Sequence, residues 1–159
     1  MSMDNNLIQC AKLMTQKGLT IAFVESATGG RVTSDFSLVP QAGKFLKGGL
    51  VCYDAKLKET ILNVPKQLID EKTPESMEVT EAIAEGLTRL IEADIYVGIT
   101  GLTTSGGSET DEKPVGTMFI HGLMNNHSLF SRRIVFSGSP EDIVRQTTAE
   151  VAKLLNEFL

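Results

Sequence analysis

Apolar and polar positions along this chain switch between a helical and an extended period, and the switch points divide it into short elements. From Asp4 to Lys17 the residues Leu7, Ile8, Ala11 and Met14 share one helical stripe, and Gly18 follows as a stop signal. Leu19 to Val24 is a brief apolar run rich in β-formers, which predicts a buried strand. Arg31 to Leu38 reads as a helix ending ahead of Pro40. Gly48 to Tyr53 reads as a second strand, Lys56 to Leu62 as a helix, and Val64-Pro65 as the opening of a short helical turn. The clearest stripe, Val79, Ile83, Leu87, Leu90 and Ile91, belongs to a helix predicted to begin at Thr73-Pro74. Asp94 to Thr100 is another buried strand. Val115 to Leu123 and Leu129 to Phe136 predict two more, turning at Asn125-Asn126, and Pro140 to Leu159 predicts a final helix.

Helices alternating with short apolar strands predict an α/β fold whose mixed, largely parallel sheet is covered on both faces. The last two strands form its one antiparallel pair. In such folds ligands collect beyond the carboxyl ends of the strands. That rule singles out three loops: Glu25 to Gly30, Tyr53 to Lys58, and Thr100 to Thr117.

Composition narrows the class. The chain has 159 residues, 42% hydrophobic and 22% charged, values of one ordinary globular domain spanning 1–159 that needs no staple to fold. A net charge of −5, with Lys and Arg scattered, argues against nucleic acid as partner, so any phosphate is gripped locally. The opening residues have no basic stretch followed by an apolar core, and no apolar run is long enough for a bilayer. The expectation is a cytoplasmic protein with no membrane partner. Cys10 and Cys52 lack CxxC spacing and read as reduced, buried thiols. No cluster of Asp, Glu, His and Cys has metal-ligand spacing, so neither metal nor cofactor is expected.

The first loop, Glu25-Ser26-Ala27-Thr28-Gly29-Gly30, has two readings. It is a helix N-cap with a tight turn, or it presents a Ser nucleophile beside backbone N–H groups that cradle an anion. It is neither a phosphate-binding Walker loop nor a GxGxxG or GxSxG motif. His121 and His127 lie near the predicted hairpin and read as exposed strand or turn residues, so a Ser nucleophile needs a base other than His. The second loop supplies Lys56 or Lys58: a desolvated lysine has a lowered pKa and takes a proton, whereas a lysine on an outer helix face is a solvated charge. The third loop, rich in hydroxyls and glycines, reads as a substrate-contacting segment or a surface excursion.

At these loops the chain resembles the CinA C-terminal family, the nicotinamide-nucleotide amidases. The family's Glu-Ser-Cys-Thr-Gly-Gly pattern appears as Glu25 to Gly30. Its Gly-Gly-x-Val-x-Tyr strand with a Lys five residues on appears as Gly48 to Tyr53 and Lys58. Its Val-Ser-x-x-Val helix start is echoed at Glu75 to Val79, its Ala-Glu-Gly at Ala84 to Gly86, its Thr-Gly loop at Thr100-Gly101, and its Lys-Pro-Val-Gly-Thr at Lys113 to Thr117. The motifs run in order along nearly the whole chain.

The resemblance implies a three-layer α/β/α sandwich, a homodimer, and hydrolysis of the carboxamide of nicotinamide mononucleotide without a cofactor. It implies Ser26 as nucleophile and Lys58 as general base, with Tyr53 and Thr100 orienting the pair or polarising the carbonyl. Glu25, Thr28, Gly29, Gly30, Gly101 and Lys113 would contact the small-molecule nucleotide substrate. Arg145 would stand in for arginines that hold the phosphate. The chain departs from the pattern at Ala27, Asp54-Ala55, Thr103 to Ser105 and Gly138 to Val144. These departures define an alternative: a divergent member that binds a nucleotide-like ligand or a partner protein without turnover. A Ser/Lys peptidase is a third, weaker reading, because no extended peptide groove is indicated.

Overall fold

The computed structural model describes residues 3–159, so the reading of the opening residues falls in part on residues 1 and 2, outside those described. The elements, in chain order, are α1 (Asn5–Lys17), β1 (Ile21–Glu25), α2 (Arg31–Ser37), β2 (Leu46–Val51), α3 (Ala55–Thr60), α4 (Lys66–Lys72), α5 (Met77–Leu87), β3 (Ile95–Gly101), β4 (Thr117–Met124), β5 (His127–Val135) and α6 (Pro140–Phe158). Among the described residues no helix is long and apolar enough to cross a membrane.

The five strands form one sheet in the order β2-β1-β3-β4-β5. β2, β1 and β3 are mutually parallel, while β4 runs antiparallel to both β3 and β5. The sheet therefore holds two antiparallel pairings where the sequence pattern predicts one: β3 reaches β4 through a loop that crosses the sheet end and never forms a helix. Asn125 and Asn126 both adopt positive φ, 53° and 61°, the two-residue turn that matches strand twist.

Side-chain alternation sorts the strands between two cores. Ile21, Phe23, Ile95, Val97, Ile99, Met118 and Ile120 pack beneath α1, α2 and α6. Ala22, Val24, Tyr96 and Leu123 pack against the α3–α5 layer. Helices on both faces make the predicted three-layer α/β/α sandwich. β1 and β3 are buried throughout and β4 up to its last residue, Met124; β2 and β5 are edges with alternating exposure.

Several boundaries differ from the sequence reading. The second strand ends at Val51, which frees Cys52 and Tyr53 for the loop. α5 starts at Met77, where the Ser76 hydroxyl accepts from the Val79 N–H at 3.3 Å, because Pro74 lies too early for a hydroxyl cap. Leu90 lies beyond the helix end and is exposed, outside the stripe. His121 is 4% exposed, its ring against Ser131 Oγ at 2.7 Å, and burial lowers its pKa. The predicted exposed histidine is thus a core one, because β4 is covered by α5. His127, at the hairpin, is exposed as read. Cys10 and Cys52 are free and buried, and burial pushes the Cys10 thiol up to about 12.

Gly98 sets the distance between α5 and the sheet. A Cβ there would lie 2.6 Å from the Thr80 carbonyl oxygen and 3.2 Å from the Ala84 Cβ. Gly98→Ala is expected to lower the unfolding free energy by about 2 kcal/mol through this overpacking, read as a lower urea midpoint at unchanged m-value.

Candidate active site

Because β1, β2 and β3 are parallel, their carboxyl ends meet at one edge of the sheet, and the three loops converge there. A cleft of about 250 Å³ opens between them. Ser26 and Ala27 come from the first loop, Tyr53 from the second, and the run Gly101–Gly107 from the third, with Glu75 from the α4–α5 connection.

Strand alternation decides which side chains face it. Ile21, Phe23 and Glu25 point toward the α2 layer, so Ser26, which extends the pairing by donating its N–H to the Ile99 carbonyl at 3.0 Å, takes the α3–α5 side. There the Lys58 Nζ donates to Ser26 Oγ at 3.1 Å and to the Cys52 carbonyl at 3.1 Å. Lys58 is 1% exposed and Ser26 6%. Among the described residues no carboxylate pairs with Lys58 within 4 Å. Burial holds its pKa below the usual lysine value, while the charges of Cys52, Glu75 and Asp54 act in the opposite direction. A hydroxyl hydrogen-bonded to an amine that is disfavoured as ammonium is a nucleophile–base pair. Lys56, the other candidate base, is exposed and pairs with Glu59.

The same burial has a stability signature. Lys58 must shed its proton more readily folded than unfolded. The native penalty is therefore full below the folded pKa and fades as pH rises from that value toward the unfolded 10.5. The wild type minus Lys58→Met difference in unfolding free energy is expected to rise across that window. Its slope is at most about 1.4 kcal/mol per pH unit, measured by urea unfolding at a series of alkaline pH values. A flat difference would show that Lys58 is not desolvated.

Glu25 does not touch the cleft, contrary to the expected substrate contact. It is fully buried on the opposite side of the strand, where Oε1 accepts from Thr28 Oγ1 (2.6 Å) and the Val32 N–H (2.9 Å). Oε2 accepts from the Thr33 N–H (2.9 Å) and Oγ1 (2.6 Å). The formal N-cap of α2 is Gly30, which has no side chain, so Glu25 supplies the missing cap from five residues upstream. Thr28 is likewise spent on Glu25. Gly29 and Gly30 have φ of 59° and 97°, and the Gly29 N–H is taken by the Ser26 carbonyl. The Ala27, Thr28 and Gly30 N–H groups have no acceptor among the described residues, leaving them as the loop's available anion donors.

The remaining expected residues divide. Gly101 lines the cleft, and a Cβ there would meet the Met118 sulfur at 2.2 Å. Tyr53 lines the rim, but its ring is 66% exposed and its hydroxyl bonds to neither dyad member. Thr100, also expected to orient the dyad, is fully buried and bonded to Thr80 Oγ1 at 2.9 Å, because its strand position faces α5. Lys113 is a strap: its Nζ donates to Thr73 Oγ1, the Glu75 carbonyl and Ser108 Oγ at 2.6, 2.8 and 2.9 Å. Burial lowers its pKa. Arg145 lies elsewhere, paired with Asp142 and lining a separate cleft of about 590 Å³ between α1, α2 and α6. The larger cleft holds neither member of the dyad. Glu75 and the Cys52 carbonyl carry no local sequence signal, since both are placed by chain crossings. Among the described residues no group of three or more His, Cys, Asp and Glu is placed to hold a metal.

Fold and site together define an α/β sandwich protein with a buried Ser–Lys pair at the carboxyl edge of its parallel strands. A family model described as the CinA C-terminal domain matches residues 5–159, and the chain belongs to that family. It is 32% identical over 146 residues to a CinA-like protein of Desulfotalea psychrophila, covering 92% of this chain and 35% of that protein. With a CinA-like protein of Thermotoga neapolitana it shares 38% identity over 142 residues, 89% of this chain and 34% of that protein. The chain thus spans about a third of the length of these relatives. In fold it is similar to a competence-damaged protein (CinA) superfamily protein from Escherichia coli, with a TM-score of 0.91 at 23% identity over 99% of this chain and 91% of that one. A competence or damage-inducible protein from Enterobacter asburiae gives 0.84 at 25%, over 94% and 96%.

Proposed function

We propose that this chain is an amidohydrolase that converts nicotinamide mononucleotide to nicotinate mononucleotide and ammonia through Ser26 and Lys58. The observation that carries the reading is the 3.1 Å contact between the cleft-lining Ser26 Oγ and the Nζ of a buried, carboxylate-free Lys58 behind it. In the first half-reaction Lys58, as the free amine, takes the Ser26 proton while Oγ forms a bond to the carboxamide carbon. The C–N bond then breaks as Lys58 returns that proton to the departing nitrogen, which leaves as ammonia. In the second, water attacks the Ser26 ester, Lys58 takes its proton, and the proton passes to Oγ as the ester C–O bond breaks. The unpaired Ala27, Thr28 and Gly30 N–H groups are the candidates for stabilising the oxyanion.

The test is a coupled assay of ammonia with chromatographic detection of nicotinate mononucleotide; wild-type protein that releases neither sinks the reading. A second reading, binding without turnover, draws support from Arg145 lying off the cleft and from the lack of a cationic side chain on its lining. Calorimetry that finds tight nucleotide binding alongside a silent assay would favour it.

A further inference from the structure

Every cleft-lining side chain is neutral except Glu75, a half-buried residue at the entrance to α5. Its Oε2 accepts from Ser108 Oγ, and its carbonyl accepts from Lys113 Nζ at 2.8 Å, so the residue is held from two sides. Its Oε1 has no hydrogen-bond partner among the described residues and is not among their buried unsatisfied atoms, so on this cleft-lining residue it is open to solvent. With the Lys113 ammonium held behind Ser108 and the other lining side chains neutral, the free carboxylate oxygen is the charge that a ligand in the cleft meets. Next to Glu75 a negative group is repelled and a positive one is drawn in and oriented, which directs a nucleotide's ring toward Glu75 and its phosphate away. The charge is also close enough to Lys58 to favour its ammonium form, so a cation docked on Glu75 relieves that effect and favours the free amine.

We propose that Glu75 is a specificity-determining residue that selects amides carried on a positively charged ring, its free Oε1 lying against the cation while the carboxamide faces Ser26. The assignment rests on the amidase reading for the position of the amide, and on the cleft alone for the charge. Ring charge is the discriminating feature because it distinguishes an N-alkylated pyridinium carboxamide from its dihydropyridine, two molecules of nearly one size and shape.

The experiment separates the two claims. The Ser26→Ala protein, which lacks the proposed nucleophile, is titrated by calorimetry with 1-methylnicotinamide cation and with its uncharged 1,4-dihydro counterpart. Expected is about tenfold tighter binding of the cation, the effect of one partly desolvated charge contact, and loss of that preference in Ser26→Ala/Glu75→Gln. A Ser26→Ala/Ser108→Ala protein removes the neighbouring bond but keeps the charge, and should keep the preference. Equal binding of the two ligands by Ser26→Ala overturns the proposal, as does a preference that survives Glu75→Gln or disappears with Ser108→Ala. A silent ammonia assay together with an intact, Glu75-dependent preference would remove hydrolysis and leave the cation site standing. Turnover without the preference would do the reverse.

Discussion

Ser26→Ala and Lys58→Met are each expected to lower kcat for carboxamide hydrolysis by roughly 10³-fold or more, and the double variant to lose little beyond either one. The two groups act as one unit. The hydroxyl is not nucleophilic without a proton acceptor, and the amine at 3.1 Å has nothing to deprotonate once Oγ is gone. Additive losses in the double variant would mean that the groups act in separate steps. Lys58→Met is the informative partner because it keeps apolar bulk in a site that is 1% exposed and removes a desolvated amine. Its fold should persist, leaving two acceptors, Ser26 Oγ and the Cys52 carbonyl, short of a donor, at about 1 kcal/mol each. The pH dependence of kcat/KM follows from the same lysine. Activity needs the free amine, so it is expected to rise with pH through the folded pKa, which burial places below the ordinary lysine value. A flat profile across neutral and alkaline pH would remove Lys58 as the base.

Glu25→Ala is expected to be the most destabilising single change at the site, by about 3–5 kcal/mol, although Glu25 touches no ligand. Its carboxylate accepts four bonds from the loop and the first turn of α2, two of them from backbone N–H groups that cannot turn away. Without it the first turn of a seven-residue helix has no side-chain cap, and a cavity remains under residues that are fully buried. For a chain of this size the loss corresponds to a fall in Tm of roughly 6–20 °C, measured by calorimetry. Glu25→Gln should also fail, since its amide nitrogen would face a backbone donor whichever way it is turned. A Tm within a degree of wild type for both variants would show that α2 does not depend on this cap.

The contrast between Glu25 and Ser26 shows where reading along the chain stops. Both stand in one motif at a strand end, and the motif marked the loop correctly. Which of the two faces a ligand depends on the face of the sheet each occupies, and so on which helix layer covers it. The same reason separates Lys58 from Lys56. Two positions apart on a short helix, one is carried under the neighbouring elements and the other left in water. Arg145 is on the predicted final helix, but that helix packs on the α1–α2 side, away from the cleft.

Sequence alone determined the order of elements and the three loops that must share a sheet edge once their strands are parallel. These are local matters, set by hydrophobic period, by hydroxyl and glycine signals, and by the rule that parallel strands end together. It also offered Ser26 with Lys56 or Lys58 as its base, and the family resemblance chose Lys58. Only the tertiary structure decided that β4 pairs antiparallel with β3, that Glu25 caps a helix, that Thr100 bonds to α5, and that Glu75 enters the cleft. The strand pairing, the Thr100 bond and the place of Glu75 depend on contacts between segments well separated in the chain, and the Glu25 cap, though only seven or eight residues from its donors, depends on which helix layer covers its face of the strand.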